Sequence, residues 1–182
     1  MIVVFLLTFG FNFFTTFFQV FLIDKFEFTS RNIGFMFAYI GVWIAFTQGV
    51  INRKIAQRFR PQEIIRISIF MLAAGLYLVL TPPTWYLLLL IQPIVAISQG
   101  LTQPNITAIV SGLASEDSQG EIMGINQALQ SIGMAVPPII GGLIVSINRT
   151  LPIAIAGSFI FVAWLVFLIS FKSAKEKFHQ VP

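Results

Sequence analysis

Six long apolar stretches run through this chain, and none carries a charged residue near its middle. Few folds tolerate that pattern. A bilayer's hydrocarbon core needs about 20 apolar residues per helical span, and each stretch is close to that length. With 57% hydrophobic and only 10% charged residues, the chain lacks the exterior of a soluble domain. The same composition excludes disorder. The fold class is therefore an all-α, multi-pass membrane protein in a lipid bilayer. Intramembrane charges usually mark the working site of pumps and transporters. Here the spans carry asparagine, glutamine, threonine, tyrosine and tryptophan instead.

The sequence predicts one six-helix membrane domain over residues 1–182, with spans near 2–23, 33–51, 64–80, 85–113, 122–147 and 151–171. Residues 172–182 read as a tail. No basic n-region precedes the first span, so it reads as a membrane helix rather than a signal peptide. Pro82-Pro83 enforces a turn between spans three and four. Six spans put both termini on one side. If that side is the cytoplasm, Arg53, Lys54, Arg58, Arg60, Arg66, Lys172, Lys175 and Lys177 face inward, and only Lys25, Arg31 and Arg149 face out. The positive-inside rule selects this orientation in a cell (inner) membrane, and acidic Glu116, Asp117 and Glu121 weigh little against it. Topology thus explains the net charge of +4 without a nucleic acid partner. Asn148-Arg149-Thr150 is an N-x-T sequence that reads as chance. There is no Cys, and the single His179 sits among tail lysines, so no metal site is expected. No nucleophile–base pair or phosphate loop suggests an enzyme, and no catalytic residue is expected.

Residues four apart share a helical face. Thr8, Asn12, Thr15, Thr16 and Gln19 form such a stripe in span one. Span two stacks Tyr39, Trp43 and Thr47, with Gln48 beside them. Gln92, Gln99 and Gln103 share a face of span four, and span five carries Asn126, Gln127, Gln130 and Ser131. Spans three and six are nearly bare, with Ser68 and Tyr77 in one and Ser158 and Trp164 in the other. Buried amides need partners or water, so the stripes face protein or a cavity. Interhelical glue and cavity lining both fit any single residue. The pattern as a whole implies an inner face made by four helices and an outer, lipid-facing pair. Striped, striped, bare, then the same again, also suggests two inverted three-helix repeats.

The most distinctive run is Gln119-Gly120, Gly124, Ser131, Gly133, Pro137-Pro138 and Gly141-Gly142. Small residues let helices approach closely, and paired prolines bend a helix. The run resembles the eleventh helix of major facilitator superfamily transporters, in the drug:proton antiporter branch that includes tetracycline-efflux-type proteins. That helix has Gly-x-x-x-Gly-Pro-x-x-Gly-Gly, and here Pro137 replaces the second glycine. Phe21 to Phe26, Ser30 and Ile33-Gly34 resemble the end of helix seven and the entry to helix eight. Gln48-Gly49 and Ile55 to Phe59 resemble the basic motif between helices eight and nine. In that motif Gln57 replaces the usual acid, and Arg58 stands as expected. The resemblance covers helices seven to twelve of a twelve-helix family.

That resemblance implies the C-terminal half of a secondary transporter exporting a small amphiphilic compound or drug in exchange for protons. It implies no cofactor beyond a proton gradient, and a missing N-terminal six-helix half as partner. Asn12, Thr16, Gln19, Tyr39, Trp43, Gln99, Gln103, Asn126 and Gln130 are the candidate substrate-cavity residues. Arg58, Gly133, Pro137, Pro138, Gly141 and Gly142 are the candidate gating and packing residues. The alternatives are an uptake symporter of the same superfamily, a homodimeric structural or channel-like subunit, and an inactive truncated reading frame. The abrupt start at Met1 points to the last of these.

Overall fold

The computed structural model describes residues 1–115 and 118–178 as helices joined by short turns. They are α1 (Ile2–Phe26), α2 (Ser30–Ala56), α3 (Pro61–Val79), α4 (Trp85–Gly112), α5 (Gln119–Ile147) and α6 (Leu151–Phe178). Glu116 and Asp117 of the acidic loop, and His179, lie outside the described residues. Most helices outrun their apolar stretches by up to a turn or two, because backbone hydrogen bonding does not stop where the lipid does. The α6 backbone in particular continues to Phe178, into the stretch that reads as a tail.

Local chemistry sets the ends. Glu27 adopts a left-handed φ of 54° and closes α1, with its N–H on Ile23 O and that of Phe28 on Leu22 O. Thr29 caps α2 by accepting from the Asn32 N–H. Pro61 opens α3, where its missing N–H does no harm, and the Glu63 carboxylate accepts from Arg60 N. Inside α2, residues Thr47–Ile51 widen into a π turn, and the Asn52 N–H reaches back five residues to Thr47 O.

α1 packs on α5 and α6, α4 packs on α2 and α3, and α3 meets α6. Exchanging α1 with α4, α2 with α5 and α3 with α6 maps these contacts onto one another. The fold is therefore two inverted three-helix repeats. The interior is rich in phenylalanine from α1, including Phe13, Phe14, Phe18 and Phe21. Close approach depends on glycine at Gly10, whose Cβ would lie 2.9 Å from Ile160 Cγ1, and at Gly75, 2.9 Å from Val95 Cγ2. At the end opposite the basic loop, Lys25 Nζ donates to Leu80 O at 2.7 Å and Arg149 pairs with Asp24.

The bare helices are open on one side only, and each buries its other side in the body. α3 buries Ile65, Ile69, Leu72, Ala73 and Leu76 in the middle of the body. Its few polar groups are paired with neighbours. Tyr77 and Ser158 hydroxyls lie 2.8 Å apart, Trp164 Nε1 donates to Arg66 O at 2.9 Å, and Ser68 accepts from Thr102 Oγ1 at 2.9 Å. Only one side of each, with Ile67 and Phe70 or Phe161 and Leu165, stays exposed. α2 and α5 are the uncovered helices: α2 buries Met36, Ile40 and Thr47, and α5 buries Asn126, Gly133, Pro137 and Gly141.

Candidate transport surface

The stripes of α1, α4 and α5 keep many of their amides free. Asn12 and Thr16 are half-buried and Gln19 is exposed; Gln99 and Gln130 are half-buried and Gln103 is exposed. Asn12 Nδ2 donates only to Thr8 O in its own helix, at 3.3 Å. Among the described residues, the Gln19, Gln99, Gln103 and Gln130 amides make no hydrogen bond, so in this arrangement they do not tie helices together. Two amides go deeper. Asn126 is buried with Oδ1 unpartnered, and Gln92 is wholly buried with neither amide atom paired. Interhelical bonding falls to other residues: the Tyr77–Ser158 and Ser68–Thr102 pairs, and Asn105 Nδ2 donating to Asn52 Oδ1 at 2.7 Å.

Tyr39 and Trp43 belong to α2, which packs on α4. The Tyr39 hydroxyl donates to Leu89 O at 2.9 Å. That carbonyl is free because residue 93, four positions on, is proline and has no N–H to offer. Tyr39 thus replaces from α2 a bond that α4 cannot make. Trp43 lies between Tyr39 and Phe46, in edge contacts of 6.4 and 6.2 Å. One turn further, Gly100 meets buried Thr47, and an added Cβ would lie 2.9 Å from Thr47 Cβ and Cγ2. Tyr39→Phe leaves Leu89 O unpaired and is expected to destabilise the chain by about 1–3 kcal/mol. In a Pro93→Ala background, where residue 93 regains its N–H, that cost should largely vanish. Equal losses in both backgrounds, by thermal unfolding in detergent, would rule out this account.

The candidate packing residues divide between two faces of α5. Gly133, Pro137 and Gly141 are buried, with Gly133 against Thr8 and Gly141 against the Phe17 ring of α1. Pro138 and Gly142 are exposed on another face, and a Cβ at Gly142 would meet nothing within 4 Å. There they join Gly124, Ala128, Ser131 and Ala135, all exposed, in a stripe of small residues. α2 carries an equivalent stripe, Gly34, Ala38, Gly41 and Ala45, also exposed. In both helices large exposed apolar residues (Phe35 and Val42, Ile132 and Ile139) follow about a quarter turn further round. The α2 stripe is absent from the sequence-based candidates, although its four-three-four spacing of glycine and alanine is a readable sign. Arg58 is exposed in the turn after α2 and has no ion pair among the described residues.

Inverted helical triplets with neutral amides along their faces define an integral membrane transport architecture. The chain matches the Major Facilitator Superfamily over residues 1–181 and belongs to it. This is a family of transporters rather than enzymes, and its members need no cofactor. The chain is 28% identical over 151 residues to Multidrug resistance protein 1 of Bacillus subtilis (strain 168), covering 83% of the chain and 39% of the relative. It is 24% identical over 175 residues to Multidrug resistance protein 2 of the same organism, covering 96% and 43%. Quinolone resistance protein NorA of Staphylococcus aureus is 26% identical over 150 residues, covering 82% and 38%. The human organic anion transporter MFSD10 (TETRAN) shares the fold at a TM-score of 0.82 and 19% identity, covering 91% of the chain and 39% of that structure. The chain thus spans about two fifths of the length of each relative.

Proposed function

We propose that this chain forms the C-terminal six-helix half of a drug exporter that exchanges a small amphiphilic organic compound for protons. It rests in a cell (inner) membrane with both termini in the cytoplasm. The observation that carries this reading is the pair of uncovered small-residue stripes on α2 and α5. Small residues at an open helix face allow another helix to approach closely, and two such faces related by the internal repeat suit a second six-helix body. Between them, the Thr16 hydroxyl, the Asn12 amide, which bonds only within its own helix, and the free amides of Gln19, Gln99, Gln103 and Gln130 offer neutral hydrogen-bonding groups to an amphiphile. Asn126 contributes from the α1–α5 contact. The two multidrug resistance proteins and NorA support export, and a proton gradient supplies coupling through the partner half. Arg58 would act in a gate at the basic end.

The test is export of a fluorescent amphiphile from cells making the chain with a six-helix partner half. Export should stop when a protonophore collapses the gradient. Gln99→Ala should slow export about tenfold, a loss of roughly 1.4 kcal/mol, while Ser68→Ala, whose hydroxyl is paired with Thr102 inside the body, should change it little. Equal effects would defeat the assignment of the amide stripes. Export by the chain alone would replace the partner half with a second copy, since the same stripes could meet across a two-fold axis.

A further inference from the structure

A cavity of about 570 Å³ lies away from the amide stripes, at the end opposite the basic loop. Phe28, Phe35 and Trp85 supply aromatic walls, and Asn32, the Tyr39 hydroxyl and Leu89 supply the polar atoms. Phe28 and Trp85 hold each other in an edge contact at 6.4 Å. The volume and the ratio of apolar wall to polar anchor are those of a small-molecule site. Phe35 shares a side of α2 with exposed Val42 and Phe46, seven and eleven positions on. The cavity therefore opens beside large apolar residues, not on the small-residue stripe proposed to receive a partner.

Its chemistry narrows the ligand. Among the described residues no charged side chain lines it. Cations already stand at the rings around it: Lys25 Nζ is 5.7 Å from the Phe26 ring and Arg31 Cζ is 5.5 Å from that of Phe35. A further cation would lose the ring faces those groups occupy and meet their repulsion. The polar atoms inside can accept: Tyr39 O, which donates its own proton to Leu89 O, keeps its lone pairs, and the Leu89 carbonyl has a second one. We propose that this cavity is a binding site for a neutral, planar aromatic molecule of two or three rings bearing a hydrogen-bond donor. The donor meets the Tyr39–Leu89 pair, and the rings lie among Phe28, Phe35 and Trp85. This site does not depend on the transport direction, the coupling ion or a partner half.

Binding is tested with the 182-residue chain in phosphatidylcholine nanodiscs, using 2-naphthol as probe and empty nanodiscs as the blank. Quenching of tryptophan emission should saturate above the blank. Phe35→Ala should weaken binding at least tenfold; Phe35 is 62% exposed, so its truncation should leave thermal unfolding unchanged. Asn32→Ala, on an exposed side chain, gives a second variant free of folding effects. 2-Methoxynaphthalene, which lacks the donor, should bind at least fivefold more weakly, and Tyr39→Phe should narrow that gap. Uptake equal to the blank would overturn the site, assigning the cavity to lipid chains. Saturable binding indifferent to Phe35→Ala would place the probe elsewhere. A naphthyl trimethylammonium ion binding as tightly as 2-naphthol would overturn the neutral ligand class.

Discussion

Gly141→Ala should destabilise the chain by about 1–3 kcal/mol, the usual cost of overpacking a well-filled contact, whereas Gly142→Ala should leave it unchanged or slightly more stable. The added methyl at Gly141 lands on the edge of the Phe17 ring, at Cε2 and Cζ. That ring has little room to retreat. Phe17 is buried and packs 5.5 Å from Phe13, which is itself fully enclosed. At Gly142 the methyl meets nothing within 4 Å. An unhindered glycine-to-alanine change inside a helix gains up to about 1 kcal/mol from propensity alone. Thermal unfolding of the two variants in detergent should therefore shift in opposite directions or by clearly different amounts. Phe17→Leu, which withdraws the ring, should recover much of the Gly141→Ala loss. Equal shifts would mean that the neighbouring glycines do not face different partners. Gly142→Leu adds a discriminating result: the proposed docking stripe would be blocked, so export with a partner half should fail while unfolding is unchanged.

The six spans were legible because the bilayer enforces length and apolarity together, and the structure places helices over each. The internal repeat was legible through the bare third and sixth spans. Which of their residues face the body was not. Lipid tails and a helix-packed interior are equally apolar, so hydropathy does not separate Ile65 and Leu72, wholly buried, from Ile67 and Phe70, which are exposed. The free amides of Gln19, Gln99, Gln103 and Gln130 stood out in the sequence, since such groups are rare in lipid. Tyr39 stood out on the same grounds, yet its role follows from Pro93, fifty-four residues later in the chain. Only the α2–α4 contact brings that hydroxyl to the carbonyl the proline leaves free. The Gly34–Ala45 stripe was readable in principle. Alanine and glycine carry no chemistry that marks them as a site, unlike the aromatic and polar residues beside them.

Gln92→Leu should raise stability by about 1–3 kcal/mol, since burying an amide without partners costs roughly that much. Gln92 is fully enclosed, and neither Nε2 nor Oε1 has a hydrogen-bond partner among the described residues. Leucine keeps a side chain of similar bulk, and the surrounding buried residues of α4, Leu88, Val95 and Ala96, are apolar. Gln92 also shares its face with Gln99 and Gln103, which are progressively more open along the helix. The stripe is therefore closed at one end and open at the other. An amide held in the closed end against its own solvation gains most when that end opens, so the penalty biases the body toward an arrangement in which Gln92 is wet or paired. Leucine removes this bias. The expected pair of results is a higher unfolding temperature and slower export, with Gln92→Glu shifting unfolding the other way because it buries a carboxyl group in the same place. A Gln92→Leu variant that unfolds at the unchanged temperature would mean that the amide is already satisfied and that nothing favours opening at that end.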